Sequence, residues 1–287
     1  MGKPPNRFGP PGKAGRDRGE RRETPRQDAG ARPGGQRPDF RRGPKPPRPE
    51  PSAGVALMWG YHTVREALRS PRREIRRLIA TRAAAERIAP EIAARGLEPV
   101  IVEADAIAAR LPQDAVHQGL LIEVKPLEPI ELADLPAGGL ILVLDQVTDP
   151  HNFGAIVRTA AAFAVDAIVT TERHSPQLGG VLAKSASGAL EHVPLCCVVN
   201  LARAMEALED MGYQRVGLDS DAPASLADLP LARPLALVLG AEGKGLRRLT
   251  RENCDALARL DLPGAIRSLN VSNACAVALT MVGMKLR

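Results

Sequence analysis

The feature that most constrains the fold is an uninterrupted apolar run, residues 235–239, that ends in a glycine-rich turn. A run of this kind indicates a strand buried on both faces of a parallel sheet. The turn contains Gly240, Gly243 and Gly245 with a single carboxylate, Glu242. Ligands of open α/β sheets bind at the carboxyl ends of strands, and glycines there allow close backbone approach. The stretch therefore has two interpretations: a small-molecule loop with an acid inside it, or an ordinary strand-to-helix turn.

The rest of the C-terminal half alternates between short apolar runs and longer amphipathic segments. This alternation predicts an α/β fold with a parallel sheet and helices on both faces. The predicted strands are 140–144, 167–171, 193–199, 215–218, 235–239 and 258–262. The predicted helices are 154–163, 179–189, 201–211 and 269–286, with a short helix after Gly245.

A smaller α/β domain is predicted for residues 54–125, followed by a proline-containing linker, 126–139, and the larger domain, 140–287. The predicted elements of the small domain are helices 64–68, 83–94 and 104–111 and strands 75–80, 99–102 and 120–124. Its arginines Arg72, Arg73, Arg76 and Arg77 fit either phosphate contacts or a solvated face. The ligand of this domain is not predicted by its pattern alone.

Residues 1–53 form a tail of Pro, Gly and Arg that carries 14 Lys/Arg and 6 Asp/Glu, whereas the whole chain has a net charge of +6. Such a composition cannot bury enough apolar surface to offset the entropy of ordering, so we expect disorder. An Arg-rich disordered tail is suited to RNA phosphates. The alternative is a tail without functional consequence.

Composition also excludes several classes of protein. The four cysteines have no paired C-x-x-C spacing and the histidines are scattered, which favours reduced core thiols in a cytoplasmic protein and no structural metal. No apolar run approaches the ~20 residues of a membrane span. The N-terminus lacks the apolar segment of a signal peptide.

Two further loops carry polar side chains. Asn152 follows the strand 140–144 at the position of a helix N-cap, and Arg158 is the only charged residue of the apolar helix after it. We expect this helix to be buried, so Arg158 needs an anionic partner or a function. The alternative is an internal ion pair with Glu242 or an aspartate.

The last loop precedes the C-terminal helix and contains Ser268 and Asn270, either of which is a natural N-cap. Its polar side chains exceed what capping requires, and a helix N-terminus also presents free N–H groups to an anion. The glycine loop reads G-x-x-G-x-G late in the chain, so it is not the dinucleotide fingerprint of a first βα turn. From the residues alone we infer a cofactor- or nucleotide-binding α/β domain.

Three segments together resemble the SpoU family of SPOUT RNA ribose 2'-O-methyltransferases. They are DPHNFGAIVR at 149–158, LGAEGKGL at 239–246 and SLNVS at 268–272. The small domain, including AVHQG at 115–119, is similar to the family's L30e-like RNA-binding module. With both domains present, the nearest group in the family is the bacterial 23S rRNA guanosine 2'-O-methyltransferases. Residues 1–53 lie outside the resemblance.

The resemblance implies a C-terminal trefoil knot, a homodimer, and S-adenosylmethionine bound by the knot loops. The implied cofactor-binding residues are Leu239, Gly240, Gly245, Leu260 and Leu269. The implied reaction is methylation of a ribose 2'-OH, for which the catalytic set is Arg158, Asn152, Glu242, Ser268 and Asn270. Because a guanidinium is a poor base, Arg158 has two possible roles, to take part in deprotonation or to anchor a phosphate. Asn273 departs from the family pattern, and its effect is not predicted by the sequence.

Alternatives within this resemblance are a tRNA ribose 2'-O-methyltransferase and a non-catalytic RNA-binding ribosome assembly factor. The added small domain argues against the first, and the complete set of site residues argues against the second. A nicotinamide dehydrogenase is disfavoured because its first βα turn needs a glycine fingerprint. Which nucleotide is modified is not predicted by the sequence.

Overall fold

The computed structural model describes residues 54–173, 182 and 185–286. The predicted disordered tail, 1–53, and much of the predicted helix 179–189 lie outside the described residues. The described residues contain a four-stranded sheet and a seven-stranded sheet. Among them, no helix combines the length and the apolar character that crossing a membrane requires.

The four-stranded sheet belongs to the small domain and has the order β1-β4-β2-β3. Strand β4 is antiparallel to β1 and β2, whereas β2 and β3 are parallel. The strands are β1 (Ala56–Trp59), β2 (Ile75–Ala80), β3 (Val100–Ile101) and β4 (Leu120–Val124). The helices are α1 (Tyr61–Arg69), α2 (Arg82–Arg87), α3 (Ala89–Arg95) and α4 (Ala104–Ala108).

The predicted helix 83–94 is wrong as a single element, because the chain breaks between α2 and α3 at Ile88. Pro90 explains the break: it has no N–H to donate, and its ring clashes with the carbonyl group four residues earlier. Strand β1 was not predicted, since it is a short segment directly after the tail.

The seven-stranded sheet has the order β7-β6-β5-β10-β8-β11-β9, and every pairing in it is parallel. Its strands are β5 (Leu140–Asp145), β6 (Ala167–Thr171), β7 (Leu195–Val198), β8 (Gln214–Leu218), β9 (Ala224–Ser225), β10 (Leu235–Gly240) and β11 (Ala256–Arg259). Its helices are α5 (Pro150–Ala162), α6 (Leu201–Asp210), α7 (Arg248–Glu252) and α8 (Val271–Lys285). The prediction of an α/β fold with a parallel sheet flanked by helices is confirmed, whereas the trefoil knot and the L30e-like character of the small domain stay predictions.

Both faces of the large sheet are buried. In β5, Leu142 and Leu144 pack into the cluster that contains residues of α5 and α8. Ile141 and Val143, which point the other way, pack with residues of α6. This burial explains why β5 and β10 are continuous apolar runs rather than alternating ones.

The register of the central strands determines where the loops meet. Strands β5 and β10 are neighbours, and Asp145 at the end of β5 pairs with Gly240 at the end of β10. The loop that leads to α5 and the glycine loop therefore begin side by side at the carboxyl edge of the sheet, where α/β folds bind ligands.

Candidate functional site

The glycine loop closes tightly on itself. A Cβ atom on Gly240 would lie 2.1 Å from the carbonyl carbon of Gly245 and 2.4 Å from the nitrogen of Leu246. The Gly245 N–H donates to the Ala241 carbonyl at 2.9 Å, and Gly243 and Gly245 have φ of +76° and +64°. The glycines of the sequence G-x-x-G-x-G are therefore needed for this compact turn.

This loop forms one wall of a cleft of about 500 Å³, here called the glycine-loop cleft. The other walls are formed by the end of β8 with the residues after it, the loop after β11 and the start of α8. Of the residues predicted for the site, eight line this cleft: Leu239, Gly240, Glu242, Gly245, Leu260, Ser268, Leu269 and Asn270. The structure thus brings these eight together, while their individual roles stay predictions. The cleft's volume lies within the ordinary range of small-molecule sites.

Three polar side chains are hydrogen-bonded to one another beside the cleft, and we call them the Asn–Glu–Asn network; they come from the first turn of α5, the glycine loop and the N-cap of α8. The Asn152 Nδ2 group donates to Glu242 Oε2 at 3.1 Å. The Asn270 Nδ2 group donates to the same oxygen at 3.2 Å and to Asn152 Oδ1 at 3.0 Å. Ninety or more residues separate Asn152 from each of the other two members. The network therefore fixes the three loops relative to one another.

The N-caps of α5 and α8 determine the positions of Asn152 and Asn270. The N-cap of α5 is Asp149, which accepts hydrogen bonds from the N–H groups of His151 and Asn152. The sequence-based placement of Asn152 at the N-cap was wrong, because Pro150 already occupies the first helical position. Asn270 is the N-cap of α8 and accepts from the Ser272 N–H at 2.9 Å. Ser268 lies outside the helix, exposed on the wall of the cleft.

Arg158 is exposed, contrary to the sequence-based prediction of a buried arginine. Helix α5 buries Phe153, Ile156 and Val157 on one face, and the alanines that made it look apolar all round do not require burial. Among the described residues, Arg158 has no hydrogen-bond or ion-pair partner, so the alternative of an internal ion pair with Glu242 is also wrong. It does not line the glycine-loop cleft and lies about 9 Å beyond Asn152 along α5.

Two more exposed cations, Lys244 and Arg267, lie in the loops of the site. In the part of the chain that the structure describes, neither of them has an acidic partner. Arg267 lines the glycine-loop cleft directly. With Arg158, they are exposed cations that have no acidic partner among the described residues, and such cations suit a polyanionic ligand.

One stabilising contact of the site was not found by sequence analysis. Asp145 is completely buried at the end of β5 and accepts hydrogen bonds from Arg247 N at 2.9 Å and from Arg247 Nε at 2.6 Å. Arg247 directly follows the glycine loop, so the contact attaches the end of that loop to the sheet. The available signal was a carboxylate at the end of a fully apolar strand, a position that requires a partner.

The cysteines near the site are not nucleophiles. All four cysteines are free thiols, and Cys275 is buried in α8. Burial raises the pKa of Cys275 to about 12 and that of Cys254 to about 12. Because only the thiolate is nucleophilic, both groups are inert near neutral pH. The described residues also contain no group of three or more metal-ligating side chains.

Two protein-family models match the chain. A model of the SpoU rRNA Methylase family matches residues 139–280. A model described as RNA 2'-O ribose methyltransferase substrate binding matches residues 57–130. The two matches correspond to the large and the small sheet with their helices.

Curated relatives and solved structures agree with these matches. The chain is 38% identical over 235 residues to the 23S rRNA (guanosine-2'-O-)-methyltransferase RlmB of Pectobacterium atrosepticum, covering 78% of this chain and 95% of the relative. It is 47% identical over 173 residues to RlmB of Pseudomonas aeruginosa, covering 58% of this chain and 70% of the relative. The SpoU methyltransferase AviRb of Streptomyces viridochromogenes, solved in complex with the cofactor AdoMet, is 21% identical to this chain, with a TM-score of 0.69. The aligned region covers 81% of this chain and 91% of the AviRb chain. That likeness supports the fold.

Proposed function

Because the chain belongs to the SpoU rRNA methylase family, we propose that it transfers the methyl group of S-adenosylmethionine to the 2'-OH of a guanosine in 23S rRNA. Relatives that share 38% and 47% identity with this chain carry this activity in their names. The single structural observation that carries the proposal is the Asn–Glu–Asn network beside the glycine-loop cleft. The network joins residues of the three segments, 149–158, 239–246 and 268–272, that each resemble a motif of the family.

The glycine-loop cleft fits S-adenosylmethionine in size and in chemistry. Its walls combine the exposed backbone around Gly240 and Gly245 with the apolar side chains of Leu239, Leu260 and Leu269. Backbone N–H and C=O groups suit the polar edge of an adenine ring, and leucines suit its faces. We assign these five residues to cofactor binding. When bound, S-adenosylmethionine supplies an electrophilic methyl group on its sulfonium.

The chain's own side chains must then align a ribose hydroxyl and help it lose its proton. The guanidinium of Arg158 is exposed and has no partner among the described residues, and we assign it to the phosphate next to the target ribose, where its charge also stabilises the developing oxyanion. Glu242 Oε1 accepts no hydrogen bond from the described residues, so it is available to a ribose hydroxyl. Asn152 and Asn270 hold Glu242 through its other oxygen, and Ser268 adds a hydroxyl on the cleft wall.

The proposed partners are RNA and a second copy of the chain, and the proposed location is the cytoplasm. We propose that the small domain binds the RNA and that the chain acts in the cytoplasm, where rRNA is modified. We also propose a homodimer, supported by the apolar side chains of Phe163, Val277 and Met284, which are exposed on or next to the packed helices α5 and α8. The assignment of a tail (1–53), a small domain (54–125), a linker (126–139) and a knotted SPOUT domain (140–287) belongs to the same proposal.

Mapping of 2'-O-methyl groups tests the proposal in cells. Deletion of the gene should remove one ribose methylation from a guanosine of 23S rRNA, and re-expression should restore it. The tRNA from the same cells serves as the comparison. Loss of a tRNA methylation instead would show a tRNA enzyme, and no loss in either RNA would favour a non-catalytic assembly factor.

A further inference from the structure

A buried ion pair joins the small domain to the large one. Arg73, between α1 and β2, has a side chain that is 4% exposed, and its partner Glu191, just before β7, has one that is 0% exposed. The guanidinium makes N–O contacts of 2.5, 3.0 and 3.2 Å with that carboxylate. The expectation that Arg73 is a surface arginine was therefore wrong.

The same guanidinium also contacts the residue that follows β4, at the end of the small domain. Arg73 Nη1 donates to the Lys125 carbonyl at 3.0 Å. A single side chain thus contacts three separate segments: the loop before β2, the end of β4 next to the linker, and the segment before β7. Arginine suits this role because its planar guanidinium group donates hydrogen bonds in several directions at once.

A second contact, independent of the ion pair, brings the two domains into close packing. Gly188 has φ of +87°, and a Cβ atom on it would lie 2.5 Å from the Cβ of Glu66 in α1. Only glycine permits this approach. The Nε2 atom of His192 lies 3.2 Å from Glu66 Oε2. The backbone of 188–192 is therefore packed directly against α1.

This segment also contacts the helix that carries Asn152 and Arg158. A Cβ atom on Gly154 in α5 would lie 2.3 Å from the Cβ of Ser185, and the short 3-10 turn Ala189–Glu191 packs on α5. The segment 185–191 is thus held between α1 of the small domain and α5 of the site.

We propose that Arg73 is a positioning residue for methyl transfer: through Glu191 it holds the RNA-binding domain in one orientation over the catalytic domain, and so determines which ribose reaches the cleft. An apolar pair of similar volume is often as stable as a buried ion pair, because both charges must be desolvated. The directional contacts of Arg73 are therefore assigned to orientation, whereas removal of Arg73 alone leaves Glu191 buried without its partner and also lowers stability. The inference rests on the proposed function, since it concerns RNA presented to that site.

The experiment compares Arg73→Met with Arg215→Met in the full chain. Arg215 is the control: its side chain is 5% exposed and contacts Asp255, itself 42% exposed, at 2.6 Å, and this pair lies within the large domain. The measurements are the Tm, the Kd for S-adenosylmethionine, and kcat and KM for 23S rRNA. Both variants should lose stability. Only Arg73→Met should lower kcat/KM for RNA by about tenfold or more, mainly through KM, with cofactor Kd unchanged within about twofold.

An equal loss in the two variants, a loss confined to kcat, or a loss of cofactor binding would overturn the inference. If Arg73→Met does not fold, Arg73→Lys serves instead, because it keeps the charge but lacks the fork that reaches Glu191 and Lys125 together. It should give a smaller increase in KM, and a KM equal to that of the wild type would overturn the inference. Absence of methyl transfer in the wild-type chain would instead contradict the proposed function.

Discussion

Replacing Arg158 by alanine should lower kcat for methyl transfer at least about a hundredfold, while S-adenosylmethionine binds with unchanged Kd. The Kd should not change because Arg158 is exposed on α5, outside the glycine-loop cleft, and free of partners among the described residues. The kcat should fall because the variant lacks the guanidinium that we assign to the phosphate and the developing oxyanion. It contributes to the reaction but not to the cofactor site. Transfer of label from methyl-labelled S-adenosylmethionine to 23S rRNA measures kcat, and calorimetric titration measures the Kd.

Arg203→Ala is the control for this prediction. Arg203 is also an exposed arginine within a helix, but α6 packs on the opposite face of the large sheet. The Arg203→Ala variant should leave both kcat and the Kd for S-adenosylmethionine unchanged. Arg158→Lys separates the two roles of the guanidinium, because a lysine retains the phosphate contact but not the planar fork. Full turnover in Arg158→Ala would remove this residue from the mechanism.

Replacing Gly240 by alanine should weaken S-adenosylmethionine binding about a hundredfold and lower the free energy of unfolding by about 1–3 kcal/mol. The added methyl group would lie 2.1 Å from the Gly245 carbonyl carbon, and this is backbone that cannot rotate away as a side chain can. The turn must open, which displaces the wall of the cleft. Calorimetric titration and urea denaturation measure the two effects.

Gly264→Ala is the matched control for Gly240→Ala. Gly264 lies in the neighbouring loop after β11, and a Cβ atom there meets nothing within 4 Å. It should leave cofactor binding and stability close to those of the wild type. If the two variants bind S-adenosylmethionine equally well, the compact turn is not part of the cofactor site.

The sequence predicted the fold well where burial produced a simple pattern. The strands β5, β6 and β10 were predicted to within one residue because a parallel strand buried on both faces is a continuous apolar run. The two-residue strand β9 was not predicted, since so short an edge pairing has no periodicity of its own. The convergence of three loops followed from the rule that strand ends meet at one edge of the sheet.

The errors in the site have physical causes. Arg158 was expected to be buried because its helix is rich in alanine, yet His151 and Arg158 are seven residues apart and so share one exposed face. That spacing was a usable signal. The Asn152–Glu242 and Asn152–Asn270 hydrogen bonds and the Arg73–Glu191 ion pair had no such signal, because each joins residues that are at least 90 positions apart in the chain.

The most direct test of the account is the chemical position of the transferred methyl group. The purified chain is incubated with unmethylated 23S rRNA and methyl-labelled S-adenosylmethionine, and the RNA is then hydrolysed in alkali. A methyl group on the ribose 2'-oxygen prevents cleavage of the adjoining phosphodiester, so we expect the label in an alkali-resistant dinucleotide that begins with guanosine. Label in mononucleotides, which indicates methylation of a base, or no label in the RNA would contradict the account.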